Sequence, residues 1–321
     1  MTITVSKDAF QLAQVFTIAR GSRTQADVLT VCIERDGVKG YGECVPYARY
    51  GETLDSVTEQ ILSVPADADR NALYSLPAGA ARNAVDCALW DLEAKQAGKR
   101  VWEFAGLNAP APQITAYTLS LDSPDAMQKQ AAENAFRPLL KTKLGGGEED
   151  AARIEAVRAG APNARIIVDA NEGWTADLYQ TLAPVLVRLG VEMVEQPLPA
   201  DSDDALLELE RVLPVCADES CHDRASLPKL KGKYDMVNIK LDKTGGLTEA
   251  LALKEAAQKD GYDIMVGCMV GSSLAMAPAV LVAQGASVVD LDGPLLLRED
   301  RDEPLKFDDN GVHPSTPNLW G

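Results

Sequence analysis

Positive charge and histidine are what this 321-residue chain has least of. Its 31 Lys and Arg face 48 Asp and Glu, a formal net charge of −17. That balance excludes nonspecific binding to nucleic-acid phosphates and to anionic membrane surfaces, though it leaves room for a local cationic pocket. Only two histidines occur, His222 and His313, and neither falls where a cluster of metal ligands would need it. The six cysteines (Cys32, Cys44, Cys87, Cys216, Cys221 and Cys268) are scattered, with no Cys-x-x-Cys pair. This speaks against a zinc site or a disulfide framework and for buried, reduced thiols. Residues 1–10 carry Lys7 and Asp8 and lack the apolar core of a signal peptide. The most apolar stretch, residues 272–289, is broken by Pro278, Gln284 and Gly285. A buried helix followed by a strand fits it better than a membrane span. The chain reads as cytoplasmic. What is present is ordinary for a globular protein, 46% hydrophobic and 25% charged, in a length that suits one large domain or two.

The first part of the chain is strands, then helices. Residues 2–6 and 27–35 read as strands, Asp36-Gly37 as a hairpin turn and residues 38–43 as the return strand. Two loops stand out: the cationic 19–24 segment, and 45–53 with Tyr47, Tyr50 and Gly51. Helices are expected at 53–63 and 79–97, with Gly98 as a stop. A linker, Asn108-Ala109-Pro110-Ala111-Pro112, ends this unit, residues 1–112.

From 113 to 292 strand and helix alternate. Strands are predicted at 114–119, 139–143, 165–169, 192–195, 215–218, 236–240, 263–267 and 287–290. Helices are predicted near 124–136, 148–159, 176–189, 203–212, 223–231, 247–260 and 272–284. Ser123, Thr175 and Ser202 are candidate N-caps, and Pro184 should kink its helix. A βα unit of about 25 residues is the period of a (β/α)8-type barrel. The last strand is followed by Gly293-Pro294 instead of a helix. Residues 293–321 are therefore expected to pack elsewhere, back on the first unit.

Barrel sites are built where strands end. The predicted strand ends carry Lys143, Asp169, Glu195, Asp218 and Lys240, at intervals of 22 to 26 residues, each after an apolar run. Any one acid alone reads equally as a solvated strand end or a helix cap. Three in succession, with a lysine on either side, do not. Converging carboxylates repel, and a divalent cation relieves them; an all-oxygen set with open positions suits Mg²⁺. Lys141 and Lys143 lie two apart on one strand and so share a face. On a solvated edge strand they would be plain surface charge. Inside a barrel, mutual repulsion and burial would lower their pKa and make a base. With Lys143 and Lys240 on opposite sides of a cation, the set suits removal of a proton beside a carboxylate, through an enediolate, and its return on the other face.

Together Lys141-Thr142-Lys143, Asp169-Ala170-Asn171, Glu195-Gln196-Pro197, Asp218-Glu219-Ser220 and Asn238-Ile239-Lys240 before Gly245-Gly246 resemble the enolase superfamily, in its muconate-lactonizing subgroup. The resemblance spans nearly the whole chain, with no departure at the core residues. It implies an α/β fold, a (β/α)7β modified TIM barrel with an N-terminal α+β capping domain. It implies one Mg²⁺ per subunit on Asp169, Glu195 and Asp218, catalytic Lys143 and Lys240, and Lys141 as an auxiliary group that lowers the pKa of Lys143. Asn171 and Glu219 would support the ligands. Within the subgroup the chain is most similar to dipeptide epimerases acting on L-Ala-L-Glu and L-Ala-D-Glu. In these an Asp-x-Asp after the last strand binds the dipeptide's ammonium, matched here by Asp290-Leu291-Asp292. In extended geometry both aspartates would face one way. Arg20-Gly21-Ser22-Arg23 resembles a capping-loop segment that contacts the Glu side chain, so Arg23 would pair with that carboxylate; its plainer reading is an ordinary loop arginine. Gly267-Cys268-Met269 resembles the same branch, with no chemistry inferred for Cys268. The implied setting is turnover of murein peptides. Alternatives are epimerisation of other dipeptides, cycloisomerase or succinylbenzoate synthase chemistry on the same fold and, more remotely, a Schiff-base lyase. The resemblance leaves open whether the chain is a monomer or a homo-oligomer.

Overall fold

The computed structural model describes residues 1–321. The chain opens with an antiparallel meander of β1 (Thr2–Ile18), β2 (Gly21–Arg35) and β3 (Val38–Cys44). Asp36 and Gly37 join β2 to β3 with φ of 54° and 77°, as a two-residue hairpin turn requires. β1 is much longer than the sequence predicts. It runs on to Ile18 and pairs with β2 from Gly21, with one register shift between Gln11 and Phe16. The expected 19–24 loop is thus a hairpin tip, and Arg23 lies within β2 opposite Phe16. A contact distant in sequence sustains this extension: Leu12 and Ala26 bury against Leu297, with Phe10 and Phe16 beside them.

Helices follow at Leu54–Leu62, capped by Thr53, and at Ala80–Gln96. The second lies directly on β3. Gly40 and Gly42 face it, and a Cβ at Gly42 would collide with the Ala84 carbonyl oxygen. The backbones meet here with no side chain between them. Gly42→Ala is therefore expected to destabilise the fold by about 1–3 kcal/mol, as overpacking does, read as a lower urea midpoint. An unchanged midpoint would show that the helix yields freely.

Eight parallel strands follow: β4 (Tyr117–Leu119), β5 (Leu139–Lys143), β6 (Arg165–Asp169), β7 (Val191–Glu195), β8 (Val215–Ala217), β9 (Met236–Ile239), β10 (Asp263–Val266) and β11 (Val288–Val289), neighbouring in sequence order. The ring closes where Ala116 N–H donates to the Val289 carbonyl at 2.8 Å and Leu291 N–H donates to Thr115 Oγ1 at 2.8 Å. The fold is the (β/α)7β barrel with an N-terminal antiparallel domain.

Five wall helices stand where their periodicity places them: Pro124–Glu133, Asp150–Gly160, Ala176–Arg188, Leu247–Lys259 and Ser273–Ala283. Ser123 and Thr175 cap theirs, and the third continues through Pro184. Two expected helices are not there. Residues 203–212 hold only a 3-10 turn, Asp203–Leu207, and Ser202 caps nothing. Residues 223–231 hold a 3-10 turn and a single helical turn, Leu227–Leu230. The first loss has a visible cause. Asp203 is drawn inward to accept bonds from Lys233 Nζ at 2.5 Å, Tyr234 OH at 2.7 Å and Ser220 Oγ at 2.7 Å. The C-terminal segment crosses to the first unit, where Arg301 pairs with Glu43 at 2.6 Å and Trp320 Nε1 donates to the Cys87 carbonyl at 3.1 Å. No helix is long and apolar enough to cross a membrane.

The barrel interior is layered. Ala116, Leu139, Ile167, Met193, Cys216, Met236, Met265 and Val288, one from each strand, form an apolar floor. Two residues on, the strand period turns the next side chains inward. That layer is Thr118, Lys141, Asp169, Glu195, Asp218, Asn238, Gly267 and Asp290. All but the glycine are polar, and all are buried. The glycine leaves room for its neighbour: a Cβ there would sit 2.7 Å from Asn238 Oδ1 and displace that amide.

Candidate active site

The polar layer opens into one pocket. It is lined by Lys141, Lys143, Asp218, Lys240, Asp290 and Asp292 from the barrel and by Arg20, Arg23, Tyr47 and Tyr50 from the capping unit. Asp169 and Glu195 lie beneath it, fully buried. Lys143 ends β5 and Lys240 follows β9. Four steps apart in a closed ring of eight, they stand on opposite sides, with Asp169, Glu195 and Asp218 on the three strands between.

Lysines bridge the carboxylates. Lys141 Nζ lies 2.6 Å from Glu195 Oε2, 2.8 Å from Asp290 Oδ2 and 3.2 Å from Asp169 Oδ2. Lys143 Nζ is 2.5 Å from Asp169 Oδ2. Lys240 Nζ is 2.7 Å from Asp218 Oδ2 and 3.9 Å from Glu195 Oε1. These distances reverse one expectation from sequence, that Lys141 would have a lowered pKa. Burial does press both Lys141 and Lys240 downward. The carboxylates outweigh it, Asp290 first for Lys141 and Asp218 first for Lys240, and both are held above the usual lysine range. Sequence places these acids on other strand ends; it does not show that three of them close to within 3.2 Å of one ammonium.

The carboxylates respond unequally. Burial opposes ionisation of Asp169 and Asp218, but Lys143 with Lys141, and Lys240 with Lys243, hold both below the usual range. Glu195 goes the other way, pushed up by burial and then by Asp169. That residual repulsion is what a cation among the three would relieve. Their oxygens do not close on one point as the side chains stand. The donor set nonetheless fits a hard divalent ion: three buried carboxylates on adjacent strands, oxygen only. Glu195 Oε2 accepts no hydrogen bond, the Lys141 ammonium being close but off the proper angle. Asn171 N–H supports Asp169 Oδ1 at 2.9 Å, and Asn238 Nδ2 supports Glu195 Oε1 at 2.7 Å.

Asp290 and Asp292 share the pocket, but not through an extended strand. β11 ends at Val289, and Asp292, with φ −90° and ψ 1°, leads into a 3-10 turn at Gly293–Leu296. Asp290 Oδ2 accepts from Lys141 while its Oδ1 is buried without a partner. Asp292 accepts from Thr118 N–H at 2.6 Å and is pushed up to about 7 by burial and then by Asp290. At the mouth the two arginines differ. Arg20 is tied to Asn171 O at 2.9 Å, Tyr47 OH at 3.0 Å, Glu219 Oε1 at 2.8 Å and Glu172 at 3.2 Å. Arg23 lies 6.0 Å from the Tyr47 ring centroid and faces the pocket with no carboxylate in ion-pair range. Glu219 is pushed up to about 8 by burial and then by Asp218. Neither histidine joins the ring: His222 packs edge-on against Tyr50 at 4.6 Å, and His313 meets Asp308 in the tail.

Three contributors escaped the sequence reading. Lys243 bonds Asp218 Oδ1 at 2.7 Å; its signal was available, three residues after Lys240 in Lys240-Leu241-Asp242-Lys243, one helical turn on. Gln196 Oε1 holds the N–H groups of Asp218 and Ser220 at 2.9 and 3.1 Å. Glu172 accepts from Nε and Nη2 of Arg49, each at 2.8 Å. Gln196 stands in the Glu195-Gln196-Pro197 motif, though its role is not read there; nothing local marks Glu172.

A capped barrel whose strand ends carry three successive acids between two opposed lysines is the architecture of an enolase-superfamily enzyme. The chain belongs to the mandelate racemase/muconate lactonizing enzyme family: the profile of that family's N-terminal domain matches residues 1–106, and the enolase C-terminal domain-like profile matches residues 125–317. It is 46% identical to the L-Ala-D/L-Glu epimerase of Escherichia coli (strain K12) over 319 residues, covering 97% of this chain and 99% of that protein. It is also 46% identical to the N-acetyl-D-glutamate racemase of a Pseudoalteromonas species over 301 residues, 92% of this chain and 95% of the other. Among solved structures, an enolase family member from Agrobacterium tumefaciens with homology to dipeptide epimerases, with sodium and L-Ala-L-Glu bound, superposes with a TM-score of 0.97 at 51% identity, covering 99% of both chains. The dipeptide epimerase of Enterococcus faecalis V583, complexed with Mg and L-Leu-L-Tyr, superposes with a TM-score of 0.90 at 28% identity, covering 99% of this chain and 98% of that one. With such relatives over its whole length, the chain is an isomerase.

Proposed function

We propose that the chain is a Mg²⁺-dependent dipeptide epimerase that inverts the α-carbon of the C-terminal residue of L-Ala-L-Glu and L-Ala-D-Glu. The observation that carries this reading is the opposition of Lys143 and Lys240 across one pocket, with three carboxylates between them. A carbon held there loses its proton to one lysine and gains one from the other on the opposite face, which inverts it. Asp169, Glu195 and Asp218 would hold one ion per chain. When bound, that ion would draw the substrate carboxylate, spread the charge that builds as the proton leaves, and offset the acid field around Lys141 and Lys240. Lys141 acts as the auxiliary cation beneath the substrate.

Asp290 and Asp292 would take the free ammonium. The unpartnered Asp290 Oδ1 is the acceptor that the protein leaves open. Arg23, free of protein carboxylates, would grip the Glu side chain with a bidentate contact. The substrate would come from murein peptides degraded in the cytoplasm. The equal identity to an N-acetyl-D-glutamate racemase favours a second reading. An N-acetyl group has no ammonium, so two buried aspartates at that end of the pocket favour the dipeptide.

Incubation in D₂O with Mg²⁺ decides between them. L-Ala-L-Glu is expected to gain α-deuterium at its Glu residue and yield the epimer, with N-acetylglutamate exchanging far more slowly. Exchange confined to N-acetylglutamate would defeat the dipeptide assignment, and exchange in neither would defeat the proton-transfer scheme. Arg23→Met should lower kcat/KM for L-Ala-L-Glu about 10- to 100-fold, the worth of a hydrogen bond between charged groups. Dipeptides with a neutral C-terminal residue should be unaffected. An unchanged preference for acidic residues would return Arg23 to the role of an ordinary surface arginine.

A further inference from the structure

Lys243 differs from the other three lysines of the ring. Lys141, Lys143 and Lys240 line the pocket; Lys243 does not and is fully buried. It belongs to the short helix Leu241–Thr244 that begins straight after Lys240. Its ammonium spends all three donors on protein oxygens: Asp218 Oδ1 at 2.7 Å, the Asp218 carbonyl at 2.5 Å and the Asn238 carbonyl at 2.9 Å. It has none left for a substrate.

The acceptors lie where the backbone ladder stops. The last paired residues of β8 and β9 are Ala217 and Val237. One residue further on, the Lys243 side chain spans the two strands. Asp218 is thereby divided. Its Oδ1 is turned to Lys243, its Oδ2 faces Lys240, and its N–H is held by Gln196 at 2.9 Å. The second strand matters too, because Asn238 directs its side-chain amide to Glu195 Oε1. A single buried ammonium thus holds one carboxylate directly and the backbone of the residue that supports a second.

We propose that Lys243 is a positioning residue: by gripping Asp218 at Oδ1 and at its carbonyl, it keeps Oδ2 turned to the ring in the orientation a bound divalent cation needs. This rests on the cation reading given above. Ligating groups depend on such outer hydrogen bonds, and losing one costs about 10- to 100-fold in metal affinity.

The test is calorimetric titration of Mg²⁺ into the full chain, without substrate, for the wild type, Lys243→Met and Lys240→Met. Lys243→Met is expected to bind Mg²⁺ at least about tenfold more weakly. Lys240→Met, which removes the bond to the other oxygen of the same carboxylate, is expected to bind no more weakly than wild type. Wild-type affinity in Lys243→Met overturns the proposal while leaving the cation reading intact; no Mg²⁺ binding by the wild type overturns both. Should Lys243→Met fail to fold, a crystal structure of the wild-type chain grown with Mg²⁺ serves instead. Lys243 still bonded to Asp218 Oδ1, with Oδ2 on the ion, supports the proposal. Lys243 released from Asp218 overturns it.

Discussion

Lys240→Met and Lys143→Met are each expected to lose epimerisation by about 10⁴-fold, the upper range for removing a positioned acid or base. The size follows from the opposition of the two groups. An α-proton faces one lysine or the other according to the configuration of the carbon, and each direction of reaction uses both. Neither lysine can stand in for its counterpart, because three strands on each side of the ring separate them. The losses should not be failures of folding. Without Lys240, Asp218 keeps Lys243 at 2.7 Å, and without Lys143, Asp169 keeps Lys141 at 3.2 Å, so neither variant strands a buried charge. Each variant should still exchange the α-hydrogen of the one epimer that presents it to the surviving lysine, seen by NMR in D₂O. Full epimerisation by either variant would sink the two-base scheme.

The parts of this site that were legible in the sequence share a physical basis. Asp169 and Glu195 each follow a short apolar run, Lys143 ends Leu139-Leu140-Lys141-Thr142-Lys143 and Lys240 ends Met236-Val237-Asn238-Ile239-Lys240; the strand period is visible locally in each, and the barrel turns every second residue inward. Leu139, Ile167, Met193 and Met236 make the floor, so the acids and lysines two residues on, or four, must point into the same space. The full length of β1 was not legible, because the contact that sustains it joins Leu12 to Leu297. The missing helix at 203–212 was not legible either, since Asp203 reads as a good first-turn acid until Lys233, Tyr234 and Ser220 claim it. The direction of the Lys141 pKa shift failed for the same reason. Spacing shows which side of a strand a charge faces, but the balance of charges at 2.6 to 3.2 Å around Lys141 comes from three other strands.

Removing the divalent ion is expected to abolish turnover and yet leave the chain folded. Polarising a carboxylate and holding the charge of the departing proton are worth several kcal/mol of transition-state stabilisation. At about 1.4 kcal/mol per tenfold, excess EDTA should cost about 10³-fold or more. Stability is another matter. In a small structural metal site the ion is the fold's own support, and chelation unfolds the protein. Here the ring carries its own cations. Lys141 lies against Asp169, Glu195 and Asp290, Lys240 bridges Glu195 and Asp218, and Lys243 holds Asp218 from behind. The three carboxylates therefore do not face one another bare when the ion leaves. The chelated chain should keep a cooperative melt, with its midpoint lowered only by the mass-action loss of a ligand, and Mg²⁺ should restore activity in full. Unfolding on chelation would mean that the lysines do not balance the acids. Undiminished turnover in EDTA would mean that Asp169, Glu195 and Asp218 hold no catalytic ion, and that Lys141 alone meets the charge on the substrate carboxylate.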